Sequence, residues 1–192
     1  MMHSMLLPLA SLGEHSIAMV GEDKFGSAYF VHGTTVALGD PPQDRIVVDV
    51  DLPGKKFDRV RPDFLMTTKG IPLFSRRFID TVEDLSGGEV DLVPATLRLR
   101  EGEREFMAGR TVKRLPLIDA DASRFLNIRG IRILTDPVFA ETSEPFLLAR
   151  DQEFRRYLIA SARLAALIQA AEAAAPGDAV PHEGAIVQAR ST

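Results

Sequence analysis

The chain has 192 residues, 45 % of them hydrophobic and 26 % charged, with a formal net charge of −4 and no cysteine. That length suits one domain with a real core, and the absence of cysteine excludes disulfides, thiolate catalysis, Cys-based zinc sites and iron–sulfur clusters. Acidic and basic residues are interspersed, so no basic face able to neutralise several phosphates is visible and no nucleic-acid partner is expected.

At the N-terminus, the apolar patch Met5 to Leu7 is not preceded by Lys or Arg and is interrupted by Pro8, which makes it too short for a signal sequence. No later stretch approaches the roughly 18 apolar residues of a membrane span. Cytoplasmic residence without a membrane partner is the expectation. The next residues read as short strands, Ile17 to Val20, Ala28 to Val31, Thr35 to Leu38 and Arg45 to Val50, set apart by glycines and by Asp40-Pro41-Pro42. The gaps between them are too short for crossover helices, so a meander or a set of hairpins is expected. Residues 1–52 are taken as a β-rich segment packed on the main unit.

Leu52-Pro53-Gly54 marks a change of pattern and opens the main unit, residues 53–176. Phe64 to Met66 and Leu73-Phe74 flank the turn Lys69-Gly70. Ser75 then precedes apolar residues at Phe78, Val82 and Leu85, a helical spacing for which Ser75 is the N-cap and Gly87-Gly88 the stop. Strand signals return from Val90 to Arg100, continue through Phe106-Met107 after the Glu101-Gly102 turn, and recur at Leu115 to Ile118, Ile131 to Leu134 and Phe146 to Leu148. From Asp151 to Ala175, the residues Phe154, Tyr157, Leu158, Leu164, Ala165, Leu167, Ile168 and Ala171 lie at the spacing of an amphipathic helix that Pro176-Gly177 stops. Residues 177–192 form a tail. The fold class predicted is α+β: a mostly antiparallel sheet, a short middle helix and a long C-terminal amphipathic helix.

No chemistry-bearing constellation is complete. His3, His15, His32 and His182 stand at no ligand spacing, and no phosphate-cradling glycine motif or nucleophile elbow occurs. Asp49 and Asp51 share a strand face, as do Asp119 and Asp121; the simpler reading is a solvated strand edge for the first pair and, with Ser123, a cap or turn for the second. Ser75 with Arg76-Arg77 could hold an anion, though arginines beside Asp80 and Glu83 are more simply paired. Glu101, Glu103 and Glu105 ring a hairpin turn, and with Asp119 and Asp121 they are the candidates for steering a basic partner. No catalytic residue, metal site or cofactor is expected.

Five segments taken together, Arg61-Pro62-Asp63-Phe64-Leu65, Gly70 to Phe78, Leu92 to Leu97, Ile118 to Ser123 and the run beginning Asp151-Gln152-Glu153-Phe154, resemble in order and spacing a family of small immunity proteins from bacterial polymorphic toxin systems. The resemblance covers roughly residues 60–170. It implies a protein, not an enzyme, that binds a cognate toxin and neutralises it by occlusion. It also implies that Pro62, Asp63, Ser75, Asp119 and Ser123 fix turns and caps. Homo-oligomerisation is compatible with this reading but not required by it. Two other functions stay open: a small-substrate enzyme with converging carboxylates, and a structural or regulatory subunit that dimerises through the long helix.

Overall fold

The computed structural model describes residues 4–6, 19–20, 28–32, 46–82, 88–167 and 186–188. Its strands in chain order are β1 (Ser4–Leu6), β2 (Met19–Val20), β3 (Ile46–Asp49), β4 (Phe64–Met66), β5 (Pro72–Phe74), β6 (Val90–Arg98), β7 (Glu103–Thr111), β8 (Arg114–Leu115), β9 (Arg124–Ile128), β10 (Ile131–Asp136), β11 (Leu148–Asp151), β12 (Leu158–Ala160) and β13 (Ile186–Gln188). Helix α1 spans Gly54–Val60 and α2 spans Arg76–Thr81, while Ala28–His32 forms a π-helical turn.

The organising element is the β6–β7 hairpin, nine residues on each side and paired in register from Val90↔Thr111 to Arg98↔Glu103. Alternation along the ladder puts Val93, Ala95, Leu97, Phe106 and Ala108 on one face, where all are buried. Around it grows a six-stranded sheet in the order β2, β3, β6, β7, β5, β4, antiparallel except that β3 runs parallel to β6. A parallel neighbour needs a crossover, and α1, β4, β5 and α2 all lie within it. Of the strands expected in a meander or set of hairpins over the first sixty residues, only part is described. Met19–Val20 does pair with β3, but the run Ala28 to Val31 is the π-helical turn, and Thr35 to Leu38 lies outside the described residues.

One face of this sheet packs with Tyr29, Phe30, Leu52 and Phe57. The opposite face, through Phe64, Phe74 and Val90, packs against α2 and against Leu148, Leu158 and Ala160 of a second sheet. That second sheet has the order β13, β1, β12, β11, β8, and in it the N-terminal β1 lies between β12 and β13 from the other end of the chain. Its other side, with Leu117, Ala149 and Ile159, packs against Phe125 and Leu134 of a separate two-stranded unit, β9–β10.

The fold is mostly β, and this overturns the α+β expectation with its long C-terminal helix. Asp151 ends β11, and Leu158–Ala160 is β12; helix begins only at residue 162 and is described to 167, with residues 168–175 outside the described set. Two features defeat the helical spacing. Leu158, Ile159 and Ala160 are three consecutive residues without exposure, which suits a strand covered on both faces and gives no helix a polar side. Asp151, read as a dipole-complementing first-turn acid, is itself buried: one carboxylate oxygen accepts from the Leu117 and Ile118 N–H groups, the other from those of Glu153 and Phe154. The short middle helix is present, with the Ser75 hydroxyl accepting from the Phe78 N–H at 3.0 Å. Among the described residues no helix is long and apolar enough to cross a membrane.

Candidate functional site

The residues singled out from sequence are occupied by local work. Asp49 and Asp51 pair with Arg98 and Arg100, one strand away in the six-stranded sheet. The Glu101 carboxylate accepts from the Gly54 N–H at 2.7 Å, where it meets the first residue of α1, and Glu103 sits 3.6 Å from Arg98. Glu105 stands across from Thr96 in the hairpin ladder. On a different element, Asp119 accepts from the Asp121 and Ala122 N–H groups, closing an Asx turn, and the Ser123 hydroxyl bridges to the Val138 backbone at both N–H and carbonyl. Asp63 accepts from the Ser75 hydroxyl and from Arg77, and Pro62 before it is buried. Arg76 pairs with Asp80 four residues on. Of the histidines only His32 is described, and no group of three His, Cys, Asp or Glu side chains able to hold a metal occurs among the described residues.

Arginine 150 is a buried charge that the sequence did not advertise. It has no exposed surface; its guanidinium donates to the carbonyls of Gly70 at 2.7 Å and Arg155 at 2.8 Å, while its Nε has no partner among the described residues. Loss of hydration, with the Arg114 charge adding to it, pulls its pKa down to about 10. At neutral pH it therefore stays charged and ties the segment after β11 to the turn between β4 and β5. Three carbonyl acceptors, counting a long contact to Arg156 at 3.5 Å, make this a structural clamp.

Among the described residues, the exposed large hydrophobics other than Val112 gather on one face of the β9–β10 hairpin. Arg129 and Gly130 form its two-residue turn, with φ of 51° and 81°, the doubly positive pattern of a primed hairpin turn. The register Ile131↔Ile128 and Ile133↔Leu126 puts these four side chains on one face. Their exposures are 62 %, 45 %, 39 % and 51 % respectively, and with Val112 they make up the exposed large hydrophobics among the described residues. The opposite face is anchored. Phe125 stacks on Phe154 with ring centroids 5.1 Å apart, Arg132 lies over both rings, Leu134 is buried, and the Leu134 N–H donates to the Tyr157 hydroxyl at 3.0 Å.

The exposed face is thus backed by an aromatic stack and a hydrogen bond. Scattered surface hydrophobes are ordinary; four in one cross-strand cluster form a contiguous apolar patch, the kind of surface that an interaction site uses. Covering such side chains releases roughly 1.5–3 kcal/mol each when burial is complete. Sequence reading identified Ile131 to Leu134 as a strand and missed β9. The alternation Leu126, Ile128, Ile131, Ile133 around Arg129-Gly130 was the available signal. No family model matches the chain, and no curated protein matches it.

Proposed function

We propose that this protein acts by binding another protein, with the apolar face of the β9–β10 hairpin as the central contact. One observation carries the reading: Leu126, Ile128, Ile131 and Ile133 form a contiguous exposed cluster on a hairpin braced from its other side. The braced geometry means little ordering cost on binding, which favours affinity. The resemblance of residues 60–170 to immunity proteins supplies the class of partner, a cognate toxin held inactive by occlusion in the cytoplasm. That role asks for a stable scaffold and a complementary patch, and no bond made or broken by this chain.

The carboxylates Asp49, Asp51, Asp119 and Asp121, which an enzyme reading would have converge, are divided between the six-stranded sheet and the turn ahead of β9, and Asp49, Asp51 and Asp119 already have local partners. The test is coexpression with the product of the adjacent toxin gene. The wild-type chain should rescue growth and co-elute with that product as a stoichiometric complex. The Ile128→Thr/Ile131→Thr variant should stay folded by circular dichroism and lose both. Undiminished rescue by that variant would sink the proposal.

A further inference from the structure

The hairpin also carries a charge pattern that restricts what can dock on it. Around the six-stranded sheet, Arg77, Arg98, Arg100, Arg104 and Arg110 each meet a carboxylate, from Asp63, Asp49, Asp51, Asp58 and Asp91 respectively. Arg124 and Arg129, at the two ends of β9, meet none among the described residues, and both are exposed. Other exposed arginines, such as Arg59, Arg155 and Arg156, have no carboxylate partner among the described residues either; Arg124 and Arg129 are the two that flank β9. Asp136, the residue across from Arg124 in the register, makes no ion pair with it.

The backbone adds a second constraint. Because the Leu134 N–H goes to Tyr157, the backbone of Leu134 points away from β9, and alternation along the ladder turns the peptide groups of its partner Phe125, and of Asn127, to the outer edge of β9. No described strand pairs with that edge. An unpaired edge beside an apolar face is a template for strand addition.

We propose that β9 accepts an extended segment of the partner protein as a third strand, one with apolar side chains in its middle and a carboxylate near each end. β9 runs four residue steps from Arg124 to Ile128, about 14 Å, and Arg129 follows in the turn, so the two carboxylates stand roughly that far apart. The alternate residues of such a segment lie beside Leu126 and Ile128 and extend the apolar face, while its ends neutralise the two arginines. This rests on the reading that the hairpin face docks a protein. A second copy of the chain fits poorly. From Arg124 to Arg129 the sequence holds no acid, so β9 paired with itself sets arginine against arginine.

A displayed library of random short peptides, selected on the full-length chain, tests the chemistry without knowledge of the partner. Sequences retained by the wild type and lost on Ile128→Thr/Ile131→Thr should be apolar in the middle with Asp or Glu at both ends, and their binding should weaken with added NaCl. On the folded Arg124→Glu/Arg129→Glu variant, the affinity of those peptides should fall at least about tenfold, and reselection should yield Lys or Arg at the same ends. Retained peptides without acidic ends would overturn this proposal and leave protein docking standing. No peptide distinguishing wild type from the threonine variant would remove both. Two further results would also overturn it: loss, in the threonine variant, of binding to phosphatidylglycerol vesicles where no peptide is retained, and light scattering that shows a wild-type dimer dispersed by the same substitutions.

Discussion

Two hairpins, β6–β7 and β9–β10, are built on one plan and finished in opposite ways. In both, alternation gives each strand pair two faces, and in both, one face is fixed against a core: Val93, Leu97 and Phe106 in the first, Phe125 and Leu134 in the second. The second faces differ. The second face of β6–β7 is covered as well, by α2 and the second sheet, and the charges along its margins close on nearby partners, Arg98 with Asp49, Arg104 with Asp58, Arg110 with Asp91. The outward face of β9–β10 is apolar and its terminal arginines stand open. A hairpin whose requirements are met internally serves the fold; one that leaves an apolar face uncovered while its other face is anchored is the surface on which the proposed binding rests.

The contrast breaks first where the core is deepest. Leu97 has no exposure and lies in the cluster shared with Phe57 and Leu73. Leu97→Ala should therefore cost about 2–5 kcal/mol in chemical denaturation, the transfer loss plus the cavity left behind. A cost below about 1 kcal/mol would show that β6 is not the organising strand.

Somewhat smaller is the expected effect of filling space that the β6–β7 sheet needs empty. A Cβ on Gly109 would come within 2.5 Å of the Phe74 ring and 2.9 Å of Val90. Phe74 is itself buried and stacked on Phe78, so neither ring has room to retreat. Gly109→Ala should destabilise by roughly 1–3 kcal/mol, measured by thermal or urea unfolding, from overpacking alone.

Legibility in the sequence follows the same division. The β6–β7 hairpin was readable because Ala95, Leu97 and Leu99 alternate with Thr96, Arg98 and Arg100 and the Glu101-Gly102 turn follows. The Ser75 cap was readable because capping is local chemistry within three residues. Asp151 to Leu158 was misread because Phe154, Tyr157 and Leu158 imitate helical spacing, while what holds them, four N–H groups gathered on the Asp151 carboxylate, comes partly from Leu117 and Ile118 far back in the chain. The docking face was hidden for another reason. Ile131 and Ile133 look like core residues, and only the tertiary position of β9–β10 leaves them uncovered. The acidic residues that drew attention instead show their charge in the sequence but not the partner that occupies it, an arginine beside Glu103 and backbone N–H groups on Glu101 and Asp119.

The electrostatic half of the contrast is testable by pH. A hydrogen bond from Arg104, together with its charge, lowers the Asp58 carboxyl below its usual 3.8. Since the folded pKa is the depressed one, the stabilisation is fully present above the unfolded value and is lost as pH falls through the folded one. Both groups are solvent-facing, so the effect is small. Asp58→Asn should leave an acid limb of the stability profile that falls less steeply below about pH 4 than in the wild type. Identical limbs would mean that the Asp58–Arg104 pair contributes nothing to the closed surface around β6–β7.

The smallest effect on stability should come from the most apolar substitutions available on the surface. Thr keeps the β-branch that suits a pleated strand, so Ile128→Thr/Ile131→Thr changes the face from apolar to polar with little change in strand preference. These side chains are already wet in the free protein, so the removed methyl groups were giving little to folding. Urea unfolding of the double variant should stay within roughly 0.5 kcal/mol of wild type per site. The same variant is the one expected to lose partner binding, and this dissociation of binding from stability is the signature of a surface satisfied from outside. A loss of several kcal/mol would instead place those isoleucines in an internal contact and erase the difference between the two hairpins.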